Sequence, residues 1–200
     1  LYKERGWTHW NHLFNARQLL TGFLFSKYSE MIAETKIEKV VAVLGINKFA
    51  NWNSKLCQWL SDGSNEKGAQ TYYNQALNTM FNGLSRAMLA LGTCWFYNIN
   101  AYKTNKETEI LLKDARQVDR ITDIWITDPP YADAVNYHEL SELFLAWDKN
   151  FLLDIFPEWY ADSKRILAVK GDGDFSSSMI EIYSNLAKHM FADSMQIVMF

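Results

Sequence analysis

Two of the three prolines in this 200-residue chain are adjacent, and they lie between an acid and an aromatic residue, in Asp128-Pro129-Pro130-Tyr131. Proline fixes φ and removes the backbone N–H, so two in succession give a stiff loop that presents carbonyls without matching donors. The loop follows the apolar run Ile124-Trp125-Ile126 and Thr127. A carboxylate, an exposed carbonyl and a flat π face on one rigid edge suit the activation of the exocyclic amine of a nucleobase. That amine is a poor nucleophile because its lone pair is delocalised into the ring. Two acceptors on its hydrogens, the Asp128 carboxylate and the Pro129 carbonyl, would localise the lone pair toward an electrophilic methyl. They would also stabilise the positive charge growing on nitrogen, the preorganised electrostatic contribution that usually dominates catalysis. In-line placement of amine, methyl and its leaving group supplies much of the remainder. Tyr131 would stack on the base, which must leave its helix to reach such a loop. The competing reading is a rigid turn with no chemistry. A buried strand before the loop and a helix after it favour the reaction centre.

The elements that must position this loop are legible as a change of period near residue 105. Before it, apolar residues recur at helical spacing. Leu19, Leu20, Phe23, Leu24, Tyr28, Met31 and Ile32 predict one face of a helix that Asn15 caps. A second helix is expected from about Lys36 to Trp52 through Ile37, Val40, Val41 and Leu44, with a strand over Val40–Leu44 as the alternative. Leu60 to Gly68 reads as a loop. A third helix is expected from about Tyr73 to Phe96. Beyond 105 the expectation is a strand at Glu109–Lys113 ending at Asp114, and a buried strand at Asp123–Thr127 ending at Asp128. A helix over Tyr137–Phe156, a helix over Ser176–Phe191 and a strand over Gln196–Phe200 complete the series. Strands alternating with helices predict an α/β fold with a parallel sheet. Ligands of such sheets bind beyond the carboxyl ends of strands, where Asp114 and Asp128 are both expected. The chain accordingly divides into a mainly helical region, 1–104, and a region holding the catalytic motif, 105–200.

With 48% hydrophobic and 22% charged residues, the composition is that of a folded protein and not of a disordered one. A net charge of −3 argues mildly against a strong non-specific grip on phosphate, without excluding a local basic groove. Cys57 and Cys94 match no metal-ligand spacing, and reduced thiols in the cytoplasm are expected. No apolar run is long enough to span a bilayer, and no secretory signal is present. The first residue is Leu1, and Phe200 falls inside the apolar run from Met195, so the expectation is a piece of a longer protein.

The Asp128–Tyr131 segment resembles motif IV of the amino-methyltransferases that act on DNA and some RNA. A wider stretch is similar to the large prokaryotic adenine-specific DNA methylases, several of which accompany anti-phage loci. The matching features are Trp7-Thr8-His9-Trp10, Leu13 through Leu20, Asn53 through Trp59, Asp114-Ala115-Arg116, and Thr127 through Tyr131 continuing to Val135-Asn136-Tyr137 and Leu140-Ser141. The likeness touches most of the chain, and only the Asp-Pro-Pro-Tyr segment is specific by itself. It implies a partial Rossmann-like methyltransferase sheet with a helical insertion (a target-recognition region) before the catalytic strand. It also implies S-adenosylmethionine as methyl donor, DNA as partner, and methylation of the amine of a flipped adenine. In this family an acidic or polar residue at the place of Asp114 can accept from the adenine amine of the cofactor, with a solvated loop acid as the alternative. Thr127 is assigned to the cofactor side too, with loop capping and space-filling as alternatives. One departure stands out: the glycine-rich Phe-x-Gly-x-Gly motif, which wraps the methionine part of the cofactor, is missing. In the family it lies upstream of the helical region, so the expectation is that truncation removed it and that this chain binds cofactor poorly. RNA as substrate, or a non-catalytic nucleic-acid-binding subunit, are the alternative functions.

Other residues carry weaker signals. Trp7, His9, Trp10, His12 and Arg17 suit DNA contacts through stacking and phosphate binding. An aromatic plug that packs the helical region is the favoured alternative. His9 and His12 have no further ligand nearby for a metal. Asn136, Tyr137 and His138 either shape a base pocket or only start a helix. Gly171-Asp172-Gly173-Asp174 lacks the ligand spacing of a calcium loop and reads as a flexible surface loop.

Overall fold

Asn15 and Thr35 each stand three residues before a Gln or a Glu, the spacing of a capping box, and each starts a helix. In the computed structural model, which describes residues 4, 6–62, 65–73, 91–94, 108–130, 137–161 and 175–199, helix α1 is Ala16–Ile32 and helix α2 is Lys36–Trp52. Asn15 Oδ1 accepts from Gln18 N at 2.8 Å, and Gln18 Oε1 accepts from Asn15 N at 2.9 Å. Thr35 and Glu38 make the same exchange at 3.2 and 2.9 Å. The chain forms two compact units, Leu1–Lys106 with Leu143–Tyr160, and Glu107–Glu142 with Ala161–Phe200.

In the first unit α1 and α2 pack together, and they do so through faces other than the expected ones. The apolar set Leu20, Phe23, Tyr28, Met31 and Ile32 is exposed, while Gln18 and Gly22 are the buried residues of α1. Gly22 decides this: a Cβ there would lie 2.6 Å from Phe49 and from Trp147, so the missing side chain lets two aromatic rings reach the helix. Along α2 the buried residues are Ala42, Val43, Gly45, Ile46, Phe49 and Ala50, while Ile37 and Leu44 are exposed. The helix runs through Val40–Leu44, which removes the strand alternative. Trp147 stands edge-on to both Phe14 and Phe49, with ring centroids 5.3 and 6.1 Å away. Trp7 and Trp10 pack on the cluster of Leu13, Phe14, Ala50, Leu56 and Leu143, so their aromatic surface serves the helical core.

A hairpin replaces the loop expected over Leu60–Gly68: β1 (Trp59–Asp62) pairs antiparallel with β2 (Asn65–Gly68). Only two residues, Gly63-Ser64, separate these strands, and a Gly-Ser pair is a sequence signal for such a short connection. The stretch after α2 ends the helix by side-chain bonding. Asn53 Nδ2 donates to Phe49 O at 2.9 Å, Thr71 Oγ1 to Asn51 O at 2.8 Å, and Ser54 and Thr71 share a 2.9 Å hydrogen bond. These contacts satisfy carbonyls that the end of a helix leaves open. Most of the helix expected over Tyr73–Phe96 lies outside the described residues; within it, α3 (Leu91–Cys94) is helical. Cys57 and Cys94 are both buried and free.

The second unit holds a parallel pair, β3 (Thr122–Thr127) with β4 (Met190–Val198), and helix α5 (Phe175–Lys188) leads into β4. Ile124, Trp125, Ile126 and Thr127 lie opposite Met195, Gln196, Ile197 and Val198. A bulge precedes this register, and Ser194 closes it by donating to Thr122 O at 3.0 Å and accepting from Phe191 N at 2.9 Å. β4 therefore starts earlier than the expected Gln196. The strand expected at Glu109–Lys113 is instead irregular chain: Ile110, Leu111 and Leu112 are exposed, and no described strand pairs with them. Without a ladder partner an apolar run does not become a strand. Helix α4 (Tyr137–Ile155) contributes Tyr137–Glu142 to this unit and its later turns to the other. The described residues thus form a mixture of helices with one antiparallel hairpin and one parallel strand pair, in keeping with the α/β class. Among the described residues no helix is long and apolar enough to cross a membrane.

Candidate functional site

The carboxyl end of β3 is where the chemistry-bearing loop emerges. β-Branched and aromatic residues make Thr122–Thr127 a good strand, and its pairing with β4 carries on to its last residue. Met199 N donates to Thr127 O at 2.9 Å, and Thr127 Oγ1 donates across the pair to Ile197 O at a long 3.4 Å. The Thr127 hydroxyl is therefore used inside the sheet. The next residue, Asp128, is exposed, and among the described residues no group donates to its carboxylate. Pro129 and Pro130 are half-buried and hold the backbone beyond it. Asp128, Pro129, Pro130 and Tyr137 line a concavity of about 270 Å³. Tyr137 is the first residue of α4, so the loop and the helix that follows it enclose one space. Tyr131 and Asn136 lie outside the described residues, as does Gly171–Asp174.

Asp114 sits elsewhere and is engaged. It caps a short 3₁₀ turn, Ala115–Gln117, by accepting from Arg116 N at 2.9 Å. The Arg116 guanidinium grips both carboxylate oxygens, with Nε at 3.0 Å from each and Nη2 at 2.6 Å from Oδ2. Hydrogen bonds from that guanidinium hold the Asp114 carboxyl below the usual carboxylate range. A carboxylate offers about four acceptor directions. Arg116 makes four hydrogen bonds to it through its backbone N, Nε and Nη2, so a further donor competes with a bidentate partner. Asn185 on α5 anchors the same turn, its Nδ2 reaching Val118 O at 2.8 Å and Ala115 O at 3.2 Å. Neither Asp114 nor Thr127 lines the concavity beside Asp128.

Sequence reasoning passed over Asn185, although a signal exists. It shares a helix face with the buried Ile182 and Leu186, and a polar residue on a packed face calls for a partner. It also passed over Asp148, a buried acid in the helical unit. Among the described residues no cluster of His, Cys, Asp and Glu is arranged to hold a metal. His9 and His12 meet edge to face, and Thr8 N donates to His12 Nδ1 at 3.2 Å. No family model matches this chain, nor does any curated protein or solved structure.

Proposed function

We propose that this chain carries the reaction-centre loop of a DNA adenine amino-methyltransferase of Rossmann-like fold. The observation that supports this most is Asp128-Pro129-Pro130 at the carboxyl end of a parallel strand, with an exposed carboxylate, unpaired among the described residues, at the edge of a concavity. Strand ends of this kind are where parallel sheets take their ligands. In the proposed reaction the Asp128 carboxylate and the Pro129 carbonyl accept from the two hydrogens of the adenine amine. They hold the nitrogen with its lone pair directed out of the ring plane, and they offset the charge it gains. Because both prolines lack an N–H, no donor of their own competes for those acceptors. Tyr131 stacks on the base.

S-adenosylmethionine would supply an electrophilic methyl group. The fit of the described residues to it is partial. Asp114 already accepts four hydrogen bonds from Arg116, so a contact to the cofactor's adenine amine would have to displace part of that grip. Nothing described here cradles the methionine part, and the sequence holds no Phe-x-Gly-x-Gly. The proposal therefore concerns the amine side of the reaction.

The test is product analysis. The full-length protein is incubated with methyl-labelled S-adenosylmethionine and either DNA or RNA, and the nucleic acid is digested to nucleosides. Label in N6-methyladenine from DNA is expected. Label in RNA alone, in N4-methylcytosine alone, or in no nucleoside contradicts the proposal.

A further inference from the structure

We infer that Tyr137 is a second wall of the base pocket, a stacking surface supplied by α4 and independent of Tyr131. This rests on the reading of the Asp128 loop given above and names a residue that the loop motif does not contain. Tyr137 lines the same concavity as Asp128, Pro129 and Pro130. Its side chain is 59% exposed, so it contributes little to a core. The backbone behind it is fixed, since Ser141 Oγ donates to Tyr137 O at 2.8 Å and to His138 O at 3.2 Å. An exposed ring on a fixed helix start, facing the space beside an acceptor, is placed for a planar ligand that carries a donor. The size of the space narrows the class. Pockets for drug-sized ligands run from about 300 to 1,000 Å³, and a concavity of about 270 Å³ suits one heterocycle better than a whole nucleoside cofactor. An aminated nucleobase meets both conditions, with its ring on Tyr137 and its amine toward Asp128.

The experiment separates the ring from the amine. The full-length protein is titrated with oligothymidine strands that carry one adenine, one purine (adenine without its amine) or one abasic residue, and binding is read by fluorescence anisotropy. Tyr137→Ala is expected to weaken the adenine and purine strands alike, about ten-fold for one lost stack, and to leave the abasic strand unchanged. Tyr137→Phe keeps the π face and is expected to bind within about two-fold of wild type on every strand. An equal loss on the abasic strand, no loss on any strand, or a Phe variant as weak as Ala would overturn the role of Tyr137. Asp128→Asn tests the underlying reading separately: it is expected to narrow the preference for adenine over purine, about ten-fold for a charge-assisted hydrogen bond. If only that preference persists, the amine assignment falls and the stacking wall stands.

Discussion

A carboxylate serves a reaction when its neighbours leave it able to accept, and Asp114, Asp128 and Asp148 differ on this point. Asp128 is exposed with no described donor, Asp114 is held by Arg116, and Asp148 is buried at 4% exposure among the helices. Burial pushes the Asp148 carboxyl up to about 7, against the lowering effect of a hydrogen bond from Asn47, and its Oδ1 has no partner among the described residues. The unfolded carboxyl ionises near its ordinary 3.8. Between that value and about 7 the native state therefore holds the proton that the unfolded state has lost. Stability falls as pH rises through this window, by up to about 4 kcal/mol, and levels off above it. Asp148→Asn keeps the shape in neutral form, so its melting temperature should exceed that of wild type at pH 8 and approach it at pH 4. A difference between the two that does not change with pH would refute a buried neutral acid. Little of this was legible in the sequence. Asp128 stood out because two prolines follow it, whereas Asp148 lies in a helix where an acid is ordinarily solvated. Asp114 was misread as a strand-end acid: no described strand leads into it, and it is the partner of a guanidinium two residues away.

At the scale of elements, periodicity predicts that a helix exists better than it predicts which side packs. The helices at 36–52, 137–155 and 175–188 lie close to their expected limits, and β3 does too. Asn15 caps α1 as its side chain suggested. The packed face of α1 was misread because its contact is made by absence: a glycine admits Phe49 and Trp147, while the apolar stripe from Leu20 to Ile32 stays exposed. Spacing of apolar residues carries no record of such a contact. Gly22→Ala should therefore destabilise the helical unit, although alanine is the better helix former, because its methyl group overlaps two aromatic rings. Overpacking of this kind costs about 1–3 kcal/mol, and urea denaturation measures it. Unchanged or increased stability would show that the rings yield freely. The hairpin at 59–68 was hidden by its polar composition, and the apolar run at 109–113 was mistaken for a strand because a strand also needs a neighbour.

At the scale of the whole chain, the change of period near residue 105 lies beside the first division between the two units, at 106/107. The divisions at 142/143 and 160/161 leave no such mark, because they fall within and just after one continuous amphipathic pattern. The parallel pair was legible only as two strands. Which residues oppose each other follows from the bulge that Ser194 closes, a detail no periodicity carries. Ile124, Ile126, Met195 and Ile197 leave one face of that pair apolar and exposed, where parallel sheets are ordinarily covered. The fold and the loop meet in one claim, that the Asp128 carboxylate acts on the amine and not on the cofactor. Single-turnover transfer of labelled methyl to DNA by Asp128→Ala in the full-length protein, with cofactor affinity measured in parallel, tests that claim most directly. Loss of one preorganised electrostatic partner should slow transfer by about a hundred- to a thousand-fold while cofactor affinity stays close to wild type. Near-normal transfer, or a loss accounted for by weaker cofactor binding, would contradict it.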